Sequence, residues 1–346
     1  GVKLYAYESI FKLLNNIPGK NRIFLDPERT NVAIYDSINS NVKVSLGTNI
    51  TTDMKAIKTD VEIENIKKAY IKDGIALTKF FAWLEIGAKT GNLNELLASK
   101  KLQDLRKEDE SYIEDSFETI AGYKENAAIV HYAPQATGSK TIKNEGMILV
   151  DSGAHYKEGT TDITRTVALG RLTDQEKTDY TLVLKSFLSL FLARFKDKTN
   201  GQRLDAIAKY PLWQAGKDFF HGTGHGVGFV LTVHEGPQRI SERDDSQFVE
   251  NMTTSIEPGL YIENSHGIRI ENEAYVKKYL ENEFGKFNQF ESLTYVPIDT
   301  RPVKTEMLNR DEIDWLNEYN KTCFEKLSPY LEGAELEYLK ESCKAI

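Results

Sequence analysis

A chain of 346 residues with 40% apolar and 28% charged side chains can bury a large core and exceeds the usual size of one domain. Its net charge of −8 comes without a basic cluster, which excludes the electrostatic footprint of a nucleic-acid binder. No apolar run approaches the ~20 residues of a membrane span, and no signal-peptide pattern stands at the start. Cys323 and Cys343 lack metal or redox spacing and read as reduced thiols of a cytosolic protein.

Residues 1–52 read as a separate piece. Residues 5–14 have helix-like apolar spacing, and residues 22–26, 31–35 and 42–44 read as short strands. A piece this short forms a marginal core alone. From residue 60 to 84, Ile63, Ile66, Ala69, Ile71, Ile75, Ala76 and Phe80 recur at mixed spacings of three and four, which predicts a long helix. Further helices are expected over residues 92–106, 174–195 and 203–216, and terminal ones over 311–325 and 335–343. Helices grouped around antiparallel hairpins predict an α+β architecture.

Two hairpins carry acids. Ile148, Leu149 and Val150 signal a buried strand, residues 161–167 alternate with many β-branched side chains, and residues 153–159 read as the turn between them. Asp151 and Asp162 are nearly symmetric about Tyr156 and Lys157, so the two carboxylates are expected to face each other. Glu257 and Glu271 are symmetric about Asn264, within a loop signal, and repeat the device. Acids flanking one turn are commonly just solvated. Two such pairs with apolar strand neighbours call for cations between them.

Residues 221–228 read His-Gly-Thr-Gly-His-Gly-Val-Gly. Glycine at every second position of a strand leaves one face bare, a mark of close approach by backbone or ligand. His221, Thr223, His225 and Val227 then share the other face. A phosphate cradle fits poorly, because no Lys-Ser or Lys-Thr follows the glycines. Four acids and an imidazole suit two hard or borderline divalent cations, and such a pair serves hydrolysis.

These stretches, together with Ile129 to Pro134, Val233 to Pro237 and residues 293–298, resemble the metallopeptidase family with the pita-bread fold, which includes methionine aminopeptidase, prolidase, creatinase and aminopeptidase P. The cytosolic Xaa-Pro aminopeptidase (aminopeptidase P) branch is the nearest in motif. The resemblance implies a pita-bread catalytic domain over residues 53–346 with a C-terminal helical extension. Residues 1–52 are then a fragment of the α/β creatinase-like domain that precedes it, and the chain a truncated one.

The resemblance also implies an activity and its residues. Asp151, Asp162, His225, Glu257 and Glu271 would hold two metal ions, with Asp162 and Glu271 bridging, and a bridging hydroxide would attack the scissile carbonyl. Manganese is the metal the branch favours, and cobalt, zinc or iron also suit the donors. Glu257 would carry the proton, with His131, His221 and His234 positioning substrate, donating to the tetrahedral intermediate and shuttling protons. Arg269 would orient a ligand carboxylate or hold a substrate carbonyl. Tyr132, with Ala133, Pro134 and Tyr156, would supply a pocket for a proline ring. The implied reaction removes the first residue from peptides with proline second, in a cytoplasmic homodimer. A prolidase and a non-catalytic peptide-binding relative are the alternatives.

Overall fold

The computed structural model describes residues 2–346, which divide into two compact units after Lys55. In the first, α1 (Ser9–Asn15), β1 (Arg22–Leu25), α2 (Val32–Asp36), β2 (Lys43–Leu46) and α3 (Ile50–Ala56) follow one another, and β1 pairs with β2 in parallel. The strand expected over residues 31–35 is instead α2. Asn31 caps it by accepting the Ile34 N–H at 2.9 Å, so local capping overrides the β-branched composition. Val42 is the one buried hydrophobic side chain described before residue 56, as befits so short a piece.

The second unit opens with α4 (Asp60–Ala88), started by a capping box in which Thr59 and Glu62 satisfy each other's backbone. Then come β3 (Leu93–Asn94), α5 (Glu95–Arg106), β4 (Tyr112–Asp115), β5 (Ile120–Tyr123), β6 (Thr141–Ile142) and β7 (Met147–Ser152). The chain continues through β8 (Ala154–Tyr156), β9 (Gly159–Thr160), β10 (Ile163–Ala168), α6 (Asp174–Leu192), β11 (Phe195–Lys196) and α7 (Gly201–Gln214). It closes with β12 (Gly224–His225), β13 (Arg239–Ile240), β14 (Thr253–Ile256), β15 (Gly259–Ile262), β16 (His266–Arg269), β17 (Asn272–Asn282), β18 (Gly285–Ser292), α8 (Arg310–Leu327) and α9 (Gly333–Ser342).

Two antiparallel sheets organise this unit, one ordered β10-β7-β5 and the other β11-β18-β17-β14. Helices α4 and α5 bury Ile66, Tyr70, Phe80, Ala98 and Leu102 against Ile148, Val150, Ile163 and Val167 of the first sheet. Helices α6, α7 and α8 bury Phe187, Leu204 and Leu316 against Ile256, Val276 and Phe290 of the second. Each large apolar side chain so buried stabilises the fold by about 1.5–3 kcal/mol relative to its exposed state.

The first hairpin differs from its expected register by one step in the turn. β8 and β9 pair Tyr156 with Gly159, so the turn is Lys157-Glu158, and β7 pairs with β10 so that Asp151 faces Thr164 rather than Asp162. Moving the centre of a hairpin by one residue moves every partner by two. Because side chains alternate with period two, Asp162 still lies on the face of Asp151, displaced along it. In the second hairpin Gly259 pairs with Arg269 and Ile256 with Asn272, the register that sets Glu257 opposite Glu271.

The hairpins are joined edge to edge. Glu271 N–H donates to the Thr164 carbonyl (3.1 Å), and Thr166 Oγ1 accepts from Arg269 N–H (3.1 Å). Behind the seam, the 2% exposed Arg165 donates to the carbonyls of Glu271 (2.5 Å), Val296 (2.6 Å) and Pro297 (3.0 Å), and to Asn272 Oδ1 and Tyr319 Oη. Every acceptor is neutral, so the guanidinium acts as a multi-pronged backbone fastener. Arg165→Ala is expected to cost about 3 kcal/mol or more, because several buried carbonyls lose their donor together. Denaturant titration measures this, and an unchanged midpoint would show that the seam holds without it.

Candidate metal centre

The seam brings six side chains into one cluster, Asp151, Asp162 and Glu271 of them buried. Atoms of Asp151, Asp162 and Glu271 lie within 4.8 Å of one another, as do those of His225, Glu257 and Glu271 and those of Asp162, His225 and His234. Asp162, His225 and Glu271 each belong to two of these sets, so the sets overlap into one continuous group of donors. Asp151, Asp162 and Glu271 are 8%, 3% and 1% exposed. His225 Nε2 lies 3.2 Å from Glu257 Oε1 and 3.5 Å from Asp162 Oδ2. Its Nδ1 donates to the Gly226 carbonyl at 3.0 Å, which turns Nε2 toward the acids, where it donates to Glu257 in the metal-free fold and would offer its lone pair to a bound ion.

The glycines of this segment answer to backbone rather than to ligand. A Cβ on Gly224 would run into the Ser255 carbonyl, and one on Gly226 into the Glu235 carbonyl. Bare glycine thus lets β12 approach β14, and Ser255 Oγ accepts the His225 N–H at 3.0 Å. Of the residues expected on the opposite face, His221 and His225 line the cleft. Thr223 and Val227 are buried, Thr223 donating to Asp205 at 2.7 Å. The extended stretch is only Gly224–His225, too short to hold a period of two over eight residues.

Charge explains why the cluster needs cations. Burial, and then the neighbouring Glu271, Asp151 and Glu257, hold the Asp162 carboxyl well above its ordinary range. Burial, followed by Glu257 and Asp151, does the same to Glu271. Glu257 goes the other way. Burial pushes it up, but the hydrogen bond and charge of His225 prevail and hold it at about 2. The balance raises His225, where Glu257 outweighs burial. Burial lowers both His221 and His234. Asp151 Oδ1 is buried and accepts no hydrogen bond from any described residue, which leaves it available to a cation. This donor set fits two divalent ions: four carboxylates, one imidazole and an uncompensated buried oxygen.

Surrounding residues fix the donors. Arg269 Nη2 donates to Asp151 Oδ2 (2.6 Å) and Nη1 to Tyr261 Oη (2.7 Å), so Arg269 orients a ligand carboxylate. Tyr261 Oη lies 2.8 Å from His221 Nε2, and His221 Nδ1 lies 2.8 Å from the Gly222 carbonyl. With Arg269 donating to it, Tyr261 donates onward to His221 Nε2. Thr164 Oγ1 donates to Glu271 Oε2 at 2.6 Å. From α4, Tyr70 Oη accepts the Asp162 N–H (3.0 Å) and donates to Glu273 Oε2 (2.5 Å), while Asp73 accepts from Thr161 Oγ1 (2.7 Å) and pairs with Arg106 (2.7 Å). Burial lifts Glu273 to about 7. Tyr70, Asp73, Arg106, Thr164 and Glu273 are sites that the residue pattern alone left unread. They look like ordinary helix and strand residues until the fold sets them behind the acids, although a polar Asp73 on an otherwise apolar helix face was an available signal.

A cleft of about 1040 Å³ opens onto the cluster and is lined by His131, His221, His225, His234, Arg269 and the four acids, with Phe117, Ile120, Val130 and Ala133 forming an apolar wall. His234 stacks edge-on near His225, ring centroids 4.2 Å apart. Tyr132 is placed differently from the expectation. Its hydroxyl turns to Glu95 at 2.7 Å, and Glu95 also accepts the N–H groups of Tyr123 (2.8 Å) and Lys140 (2.7 Å). Tyr132 therefore secures the loop that presents His131. Tyr156 is buried with its hydroxyl on Asp73 at 3.1 Å, so the ring wall comes from Phe117, Ile120, Val130 and Ala133 instead.

Fold and site together define a metallopeptidase of the pita-bread architecture. A sequence model of metallopeptidase family M24 matches residues 64–278, that of the C-terminal region of peptidase M24 matches 286–346, and that of a creatinase/prolidase N-terminal domain matches 1–62. The chain belongs to metallopeptidase family M24. It is 39% identical to Xaa-Pro aminopeptidase 1 of Dictyostelium discoideum over 100% of its own length and 57% of that protein's. It is 38% identical to aminopeptidase P1 of Arabidopsis thaliana over 94% of its length and 55% of that protein's. Its structure superposes on an X-prolyl aminopeptidase from Caenorhabditis elegans, described as a cytosolic enzyme with a di-nuclear active site. The TM-score is 0.91 at 35% identity, covering 98% of this chain and 57% of that one. An Xaa-Pro dipeptidase from Bacillus anthracis gives 0.71 at 25% identity, covering 84% and 77%. The chain thus spans a little over half the length of these aminopeptidase relatives.

Two outcomes test the metal centre. The raised Asp162 and Glu271 carboxyls make the metal-free fold bind protons that the unfolded chain releases. Its stability therefore falls as pH rises from the ordinary carboxylate range, about 4, through the folded values. Divalent manganese is expected to raise the melting temperature more at pH 8 than at pH 5 and to release protons on binding, as calorimetry in buffers of different ionisation heat reads. His225→Ala removes the one nitrogen among the five donors, so at least one equivalent of bound metal is lost while the circular-dichroism spectrum is retained. Two equivalents bound at unchanged affinity would refute the assignment.

Proposed function

We propose that this chain is a two-metal aminopeptidase that removes the first residue from peptides with proline in the second position. The observation that carries the reading is the convergence of Asp151, Asp162, His225, Glu257 and Glu271 in overlapping donor sets that open on one cleft. Similarity to Xaa-Pro aminopeptidases along nearly the whole chain supports the substrate class. Asp151, Asp162, His225, Glu257 and Glu271 would hold the two ions, which when bound lower the pKa of water and polarise a carbonyl.

The remaining chemistry belongs to the side chains. Glu257 takes a proton from the attacking water and returns it to the departing proline nitrogen. His131 and His234, both exposed to the cleft, are placed to hold the substrate and donate to its developing oxyanion. His221 is held by Tyr261 and supports the site from beside Glu257. The acidic end of the cleft draws the free α-ammonium of the substrate, and the apolar wall receives the pyrrolidine ring. Manganese is the proposed metal, supported by the oxygen-rich donor set. A cytoplasmic homodimer is the proposed setting, on the family resemblance and the cytosolic relative.

The dipeptidase reading shares this metal centre and is favoured only by the weaker similarity to Xaa-Pro dipeptidases. Tripeptides and longer peptides with proline second are expected to be cleaved with manganese and spared with a chelator, whereas acetylation of the substrate's N-terminus abolishes turnover. Cleavage of dipeptides alone would assign a dipeptidase, and cleavage of acetylated peptides would exclude both. Glu257→Gln should lower kcat by ~10²–10⁴-fold, since it removes the proton carrier while keeping one ligand oxygen. Retention of more than about a third of the parent rate would place the proton elsewhere.

A further inference from the structure

Four cations line the cleft, and three are already matched. Arg269 is on Asp151 (2.6 Å), Lys209 lies between Asp205 (3.7 Å) and Asp218 (3.6 Å), and Arg243 sits by Glu242 (3.5 Å). Arg239 is the exception, with no hydrogen bond or ion pair to any described residue. Asp244, which also lines the cleft, accepts the Ser246 N–H at 2.8 Å.

Arg239 stands in the site rather than beside it. On β13 it is the direct register partner of His225 on β12. Its charge also reaches His234, where it adds to burial in lowering the imidazole pKa. The Arg239 guanidinium thus stands among the substrate-facing groups without an ion-pair partner. An ammonium terminus is repelled by it and drawn to the acids, which leaves Arg239 for the other end of the peptide.

We propose that Arg239 is a specificity residue that receives a carboxylate of the peptide on the far side of the scissile bond. This rests on the peptidase reading and extends it to short or acidic substrates. The carboxylate has two sources, the C-terminus of a tripeptide or an acidic side chain at the third position. A planar guanidinium suits either by paired, charge-assisted hydrogen bonds.

The test uses the metal-loaded chain and four substrates: Ala-Pro-Ala as free acid, its amide, and Ala-Pro-Asp and Ala-Pro-Lys as amides. The parent is expected to show a KM roughly tenfold lower for the free acid than for its amide if the terminus is read, or for the Asp than for the Lys peptide if the side chain is read. Arg239→Gln should bring the affected ratio toward one, and Arg239→Glu should invert it. Equal KM values across the parent's series, or ratios unchanged in both variants, would overturn the proposal. Binding of the same peptides with chelator present, read by calorimetry, separates the two readings. A carboxylate preference that Arg239→Gln abolishes, in a chain that cleaves nothing, would retain the role of Arg239 and remove the peptidase reading. Absence of that preference in binding as well as turnover would remove the role of Arg239.

Discussion

Like-charge repulsion among four clustered carboxylates is the constraint on which the rest of this structure depends. Asp151, Asp162 and Glu271 are buried within 4.8 Å of one another, and the half-buried Glu257 lies as close to Glu271. Without cations, two of them are forced toward the protonated state, and Glu257 stays ionised only through His225. A cluster of this kind is unstable as an accident of folding. It persists where divalent ions repay the desolvation and the repulsion.

Three buried arginines hold that arrangement, each by a different logic. Arg269 touches the acids directly, pairing with Asp151 and sending a hydrogen-bond chain through Tyr261 to His221. Arg106 acts one layer back, fixing Asp73 and through it Thr161, next to Asp162. Arg165 bonds no carboxylate, and its neutral acceptors lie on three other stretches of chain, among them the backbone of Glu271 and Tyr319 of α8. The C-terminal region is therefore tied into the seam that aligns the two hairpins. Guanidinium serves all three tasks because its donors are numerous, planar and permanently charged.

The proposed chemistry draws on what this scaffold leaves exposed. The acids and His225 face inward, while His131, His234 and the apolar wall open toward the cleft. Buried polar networks behind the ligands keep them from relaxing away from one another when a substrate displaces water. Glu95 does similar work for the His131 loop, gathering Tyr132 and the backbone of Tyr123 and Lys140 around one carboxylate.

The amino-acid sequence by itself determined the donors and the hairpins that carry them. Acids bracketing turns within β-branched strands are local patterns fixed by the periods of strand and turn, and the long α4 was legible from its apolar spacing, whereas the alternating glycines around His225 marked a close backbone approach and not a strand. Only the tertiary structure decided which residues serve them. The direct partner of Asp151 became Thr164 because a one-residue change in turn position is invisible to pattern symmetry. Tyr132 left the cleft for Glu95, and residues 31–35 became helical through one capping hydrogen bond. Tyr70, Arg106 and Glu273 reach the site across dozens of residues of intervening chain, as does Arg165 on its way to α8. Periodicity reports which face of an element is buried, whereas the partner on that face is chosen by the packing of elements distant in sequence, where hydrogen-bond satisfaction and charge balance are settled together.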